Sequence, residues 1–422
     1  MDISGLPGFR DFFPEELALR RHIFSVWRET AERYGFAEYD GPPLEPLELY
    51  TRKSGEEIVG QLYAFTDKGG REVALRPEMT PSFARMIAGR AASLPKPIRW
   101  FSMPQLFRYE RPQKGRLREH FQLNLDIVGE TGVAADAEVV AAGLDVLRGC
   151  GLGSGDVFAR VSDRRLMGSV LQTCGVPAEG LAACFVALDR AESGGQEKLL
   201  ARLAELGLDD EAVRRIASLP DLDLKGVLER YGDSPGVAEA GDRLERFFSF
   251  MRGYGLEEFV AFDAGLVRGL AYYTGTVFEL WDRGRELRAI CGGGRYDDLL
   301  LALGGVDLPA VGFGMGDVVL AEILRERDLI PGVPAAVQDF VIVVEPEGRV
   351  DALRIVRRLR DSGRRVAFDL PERSVGRQFK AADQSGASRA IVLGPDELER
   401  GVAKVRSLDS GDEREVPVEE LA

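Results

Sequence analysis

Between Phe107 and Gly129 the chain reads FRYERPQKGRLREHFQLNLDIVG, two stretches of strand-like alternation around a loop dense in cations. In FRYER a period of two puts Arg108 and Glu110 on one face and Phe107 and Tyr109 on the other. In FQLNLDIV the same period groups Gln122, Asn124 and Asp126 opposite Phe121, Leu123, Leu125 and Ile127. Paired as a hairpin, the strands carry one arginine, two carboxylates and two amides on a single surface. Arg111, Lys114, Arg116 and Arg118 occupy the connection. An antiparallel hairpin with one solvated face shows the same pattern and is common. The added cations suit an anionic ligand with polar head groups, such as a nucleotide beside an amino acid.

The rest of the chain sets limits on that ligand and its setting. With 422 residues and 45 % hydrophobic content there is material for two or three domains with cores of their own. A net charge of −14 argues against a general nucleic-acid coat protein but leaves room for local basic surfaces. Cys150, Cys174, Cys184 and Cys291 show no CxxC spacing, and only His22 and His120 could join them, so the expectation is core cysteine and no metal centre. The N-terminus has no basic, apolar and cleavable segment, and no apolar run approaches a membrane span. A soluble, cytoplasmic protein is expected.

The organisation reads as two domains. Glu15 to Tyr34 has helical apolar spacing through Leu17, Ile23, Phe24, Val26 and Trp27, with a stop at Gly35. Strand-like segments recur at LYAFTD, EVALRP and RWFSMPQLFRYER, and strands without regular helices between them point to an antiparallel sheet. Residues 163–255 change to short amphipathic helices before strand character returns at EEFVAFDAGLVRGLAYYTGTVFELW and RAICGGGRYDDLL, which reads as a helical insertion. The expected division is therefore 1–325 as one α+β domain, 326–338 as a linker, and 339–422 as a second α/β domain. That second domain runs strand (FVIVV), helix, strand (RVAFDL), helix, strand (AIVLG).

RYERPQKGR closely resembles the second signature motif of class II aminoacyl-tRNA synthetases, in the version carried by histidyl-tRNA synthetases. The resemblance covers essentially the whole chain and implies a class II catalytic domain followed by an anticodon-binding domain. GFAEYDGPPLEPLELYTRKSGEE is similar to the family's first motif, whose proline, here Pro42, lies at the homodimer interface. In LYAFTDKGGREVALRPEMT the resemblance implies that Glu78 and Thr80 grip the α-ammonium end of histidine, with Met79 among the histidine-binding residues. A carboxylate pairs with an ammonium through short charge-assisted bonds. In the second motif it implies Arg108 for the substrate carboxylate and the α-phosphate, Glu110 for the adenine amino group and Arg116 for the distal phosphates. Gln122 and Asp126 are implied for the amino acid. The family commonly reads RE-F-H/Y-Q where this chain has Arg118-Glu119-His120-Phe121-Gln122. The ring on adenine is then Phe121, displaced by one position, or His120 in its place; pleat direction leaves both open.

LVRGLAYYTGTVFE resembles a run peculiar to histidyl enzymes, which implies Arg268 as the catalytic cation beside the α-phosphate, with Arg108, and Tyr272 and Tyr273 as the lining of the imidazole pocket. Ala271 stands where the family usually has an acid. CGGGRYDDLL is similar to another family run, and its successive glycines allow close backbone approach to a ligand. The third motif departs from the pattern. In Gly312-Phe313-Gly314-Met315-Gly316-Asp317-Val318-Val319-Leu320 a valine, Val319, holds the position of the γ-phosphate arginine. Arg116 or Arg295 is the expected substitute.

In the C-terminal domain, Arg349 to Lys380 contain ten Arg/Lys against four Asp/Glu, a basic stripe of the kind phosphate contacts require. The implied reaction joins L-histidine to tRNA-His through histidyl-adenylate, with ATP carrying Mg²⁺ and no resident metal. The alternative is a histidine-sensing relative, the regulatory subunit of ATP phosphoribosyltransferase. Val319 and Ala271 favour it, and the anticodon-like domain speaks against it.

Overall fold

The computed structural model describes residues 4–51, 59–194, 196–266, 272–284, 287–330, 332 and 336–421, with 189–194 and 196 described by backbone alone. It divides into two compact units, Met1–Pro331 and Gly332–Ala422.

In the first unit the opening helix, Pro14–Arg33, has proline at its start and Glu15 and Glu16 in its first turn, where acids complement the helix dipole. It stops at Gly35, which takes φ +74°. Leu19, Ile23, Trp27 and Ala31 form its buried side. The strands follow as β1 (Ala37–Glu38), β2 (Leu44–Pro46), β3 (Tyr63–Thr66), β4 (Glu72–Leu75), β5 (Ile98–Ser102), β6 (Gln105–Phe107) and β7 (Glu119–Val128). Then come β8 (Val157–Asp163), β9 (Val260–Phe262), β10 (Thr276–Asp282), β11 (Cys291–Arg295) and β12 (Ala310–Gly316). The main sheet runs β1-β5-β7-β12-β11-β10-β8-β9, with β6 on the early part of β7. Its interior is antiparallel; only the two edge pairs, β1 with β5 and β8 with β9, are parallel. β2, β4 and β3 make a separate small sheet. Between β8 and β9 lie the helices of the 164–253 block.

One face of the main sheet is packed. Leu123, Leu125 and Ile127 of β7 join Phe278, Leu280, Val311, Phe313 and Met315 against the helix Val133–Gly149, itself buried along most of its length. Each fully buried leucine or phenylalanine there contributes roughly 1.5–3 kcal/mol. That fixes the register of β7, because a one-residue slip would drive Gln122, Asn124 and Asp126 into this core. All four cysteines are buried.

The expected FRYER strand is shorter than its alternation suggests. β6 ends at Phe107, and the ladder continues by one further bond, Arg108 N–H to the Arg118 carbonyl at 2.9 Å. Tyr109 N–H then turns to the Gln61 carbonyl, and Pro112 has no N–H to continue pairing. The loop tip closes through a Gln113–Arg116 bridge, with Gly115 at φ +73°.

The second unit holds β13 (Asp339–Val343), β14 (Val366–Phe368), β15 (Arg389–Leu393), β16 (Val402–Ser407) and β17 (Glu413–Pro417), ordered β14-β13-β15-β16-β17. The first three are parallel, linked by the helices Arg349–Asp361 and Val375–Gln384, as the sequence alternation predicts. The closing β16–β17 hairpin was not expected. Part of the basic stripe is internally neutralised: Arg354, Arg357, Arg364 and Arg373 pair with Asp351, Asp361, Asp339 and Asp369. Arg358, Arg377 and Lys380 are exposed.

Candidate active site

The other face of the main sheet opens into a cavity of about 880 Å³. Its floor follows from register. Gln122, Asn124 and Asp126 of β7 lie level with Gly316, Gly314 and Gly312 of β12. Gly314 and Gly312 lie level in turn with Gly292 and Gly294 of β11, and Gly292 with Glu279 of β10. A glycine therefore stands beside each of these three polar side chains. A Cβ on Gly312 would sit 1.9 Å from Asp126 Oδ1, one on Gly314 2.7 Å from the Gln122 amide, and one on Gly294 2.9 Å from the Tyr273 ring. The glycines are there because their neighbours lean across them.

At one end Asp126 is buried and accepts a hydrogen bond from the Tyr296 hydroxyl. Burial pushes its carboxyl up to about 7, against the opposing effect of that bond. Tyr272 stands 4.9 Å from Tyr273 and 6.1 Å from Tyr296, ring centre to ring centre. A carboxyl poised near neutrality among three tyrosines suits a flat ring bearing an N–H donor.

Glu78 and Thr80 are set by a turn into the helix Thr80–Ala88. Arg76, buried beneath the turn, donates to Asp40 (2.9 Å), the Gly41 carbonyl (2.7 Å) and the Gln105 carbonyl (3.0 Å). Arg108 Nε donates to the Pro77 carbonyl at 2.9 Å, so this cation is tied to the residue that precedes Glu78. An acid and an arginine so close match the two ends of a zwitterionic amino acid.

At the loop end Glu110 and Arg116 form an ion pair. Arg118 bonds the Glu110 carbonyl at 3.0 Å and lies over the Tyr109 ring at 4.3 Å, which stiffens the approach to the loop. Gly115, Arg116, Val318, Val319 and Arg288 line the cavity as well. His120 lines the cavity too; burial, then the charges of Arg108, Arg10 and Arg288, push its imidazole down to about 3, so it is a neutral ring at physiological pH.

The cavity thus gathers Glu78, Thr80, Arg108, Glu110, Arg116, Gln122, Asp126, Tyr272 and Tyr273. Three expected residues lie elsewhere. Met79 is fully buried, with its sulfur beside the Arg76 guanidinium. Phe121 faces the packed side of the sheet, its ring 5.2 Å from Phe24 and 6.3 Å from Phe12. Arg295 is 1 % exposed on the same packed side and is committed to Asp136 and Asp297, so it is not a substitute phosphate clamp. Arg268 and Ala271 lie outside the described residues. Asn124, Glu279, Trp281, Arg288 and Tyr296 line the cavity without having been assigned roles from sequence. Parity with Gly292 and Gly294 is the signal that would have found Tyr296; Arg288 lies before β11 begins.

Residues 8–317 match the family model described as histidyl-tRNA synthetase, and residues 338–422 match the anticodon binding domain. A histidine–tRNA ligase of Opitutus terrae is 45 % identical over 99 % of this chain and 97 % of its own length. The chloroplastic/mitochondrial histidine–tRNA ligase of Arabidopsis thaliana is 38 % identical over 100 % of this chain and 86 % of its own. The crystal structure of histidyl-tRNA synthetase from Nostoc sp. PCC 7120 superimposes with a TM-score of 0.85 at 26 % identity, covering 100 % of this chain and 99 % of that one. A protein from Bacillus halodurans C described as an ATP phosphoribosyltransferase regulatory subunit/histidyl-tRNA synthetase shares the fold, with a TM-score of 0.78 at 23 % identity over 93 % of this chain and 99 % of its own.

Proposed function

The chain belongs to the histidyl-tRNA synthetase family of class II enzymes, and we infer from that membership and from the cavity that it is a histidine–tRNA ligase. It activates L-histidine with ATP and transfers the histidyl group to tRNA-His. The observation that carries this reading is the pairing of a histidyl-synthetase domain with an anticodon-binding domain in one chain, matched along its whole length by ligases. The regulatory-subunit reading is set aside because that subunit is expected to lack the second domain.

In the first half-reaction a histidine carboxylate oxygen attacks the α-phosphorus and pyrophosphate leaves. In the second the tRNA 3′-terminal hydroxyl attacks the activated carbonyl and AMP leaves. No side chain has to act as nucleophile, so the protein supplies orientation and charge. In our reading Glu78 and Thr80 hold the ammonium, and Arg108, anchored on Pro77, holds the carboxylate and α-phosphate. Asp126, Gln122, Tyr272 and Tyr273 take the imidazole, with Tyr296 orienting Asp126. Glu110 reads the adenine amino group, and the neutral His120 ring, in place of Phe121, lies against the base. Arg116 serves the distal phosphates, and Arg268 is proposed for the α-phosphate. Mg²⁺ enters on the phosphates as part of the nucleotide substrate.

We further propose a homodimer formed through the segment around Pro42, and a cytoplasmic location. Among the described residues no helix is long and apolar enough to cross a membrane. Charging of tRNA-His by the purified chain tests the ligase reading, and sedimentation tests the dimer. A monomer that charges tRNA fully would remove the dimer from the account and leave the chemistry.

A further inference from the structure

The wall at the loop end of the cavity poses a charge problem. A nucleoside triphosphate brings most of its negative charge to its distal phosphates, yet Val318 and Val319 present apolar surface there. Arg116, assigned above to the distal phosphates, is a single cation on this wall and forms an ion pair with Glu110. Lys114 reaches outward to Glu326 at 3.0 Å, and Arg295 is sealed in the core.

Arg288 lines the same cavity, near enough to His120 for its charge to bear on that imidazole. It precedes β11 by three residues, on the approach to the glycines whose face is the cavity floor. The pairing of Cys291 with Met315 is extended by the Gly316 N–H donating to the Ile290 carbonyl at 3.3 Å. That bond brings the segment before β11 to the start of the helix Asp317–Glu326, which carries the two valines. Its side chain is exposed and lines the cavity together with Gly115, Arg116 and Val319.

We propose that Arg288 receives the distal phosphates of ATP together with Arg116, supplying from the segment before the glycine run the cation that Val319 does not supply from the helix. The proposal rests on the ligase reading of the cavity. A planar guanidinium meets two phosphate oxygens at once, so arginine is the side chain suited to this position. Pyrophosphate departs from this end, so the same contact stabilises the leaving group in the first half-reaction.

The test uses the full chain carrying Arg288→Gln or Arg288→Lys, with binding of ATP, AMP and histidine measured by calorimetry and the KM for ATP measured in pyrophosphate exchange. Arg288→Gln is expected to weaken ATP binding tenfold or more and to raise that KM to match. AMP and histidine should bind within twofold of the unaltered chain, and Arg288→Lys should recover part of the ATP affinity. Unchanged ATP binding in Arg288→Gln would overturn the assignment. So would a parallel loss of ATP, AMP and histidine, which marks a structural role. An unaltered chain that binds no ATP would overturn the ligase reading itself, and this assignment with it.

Discussion

Arg295 and Asp136 meet in a fully buried, two-pronged ion pair, with Nε 3.0 Å from one carboxylate oxygen and Nη2 2.9 Å from the other. Arg295 also donates to the Glu130 carbonyl at 2.9 Å, so the pair staples β11 to the start of the helix beneath the sheet. Removing one partner leaves the other charge buried and alone. Arg295→Ala or Asp136→Ala is therefore expected to cost about 3–5 kcal/mol of stability, read from the urea midpoint. ATP affinity of the protein that remains folded should stay unchanged, because Arg295 does not reach the cavity.

Asp126 gives a pH signature. Its carboxyl is ordinary in the unfolded chain and pushed up to about 7 by burial in the folded one. Between about pH 4 and pH 7 the folded state therefore holds a proton that the unfolded state has released, and stability falls as pH rises through this window. Above about pH 7 both states are ionised and the penalty levels off. Asp126→Asn should flatten that part of the profile relative to the unaltered chain, in denaturant titrations at a series of pH values. Parallel profiles for the two proteins would contradict the assignment of a raised carboxyl.

His120 and Phe121 are neighbours with opposite fates. His120→Ala should raise the KM for ATP several-fold with little change in stability, since base stacking on a ring is worth about 1–3 kcal/mol. Phe121→Ala should do the reverse, lowering stability by about 3 kcal/mol and sparing the KM. The two readouts, exchange kinetics and urea midpoint, separate the roles.

In the second unit the exposed Arg377 and Lys380 are the cations to alter. The double variant Arg377→Ala, Lys380→Ala should weaken tRNA-His binding and flatten its salt dependence, by about 0.7 in the log–log slope for each lost contact to single-stranded phosphate. Histidine-dependent pyrophosphate exchange should be untouched.

Much of this was legible in the sequence because β7 obeys one rule over its whole length: a residue's parity decides whether it meets core or cavity. That rule correctly placed Gln122 and Asp126 on one surface. The structure extends the same alternation to the start of the strand, with His120 lining the cavity and Phe121 against Phe24, a choice that the sequence left open. Arg295 was misjudged for a related reason. Its neighbours Gly292 and Gly294 face the cavity, so its own parity faces Asp136, but a partner 159 residues away leaves no local trace. The FRYER strand ended early because Pro112 and the carbonyl of Gln61 compete with the ladder. The parallel edge pairs and the β16–β17 hairpin depend on distant pairing and short strands, where periodicity carries little signal.

The most direct measurement of the central claim is ATP–pyrophosphate exchange driven by single amino acids, with the purified full-length chain and Mg²⁺-ATP. The account predicts exchange with L-histidine and none above background with the other amino acids. Histidine binding without exchange, or exchange driven equally by a different amino acid, would contradict it.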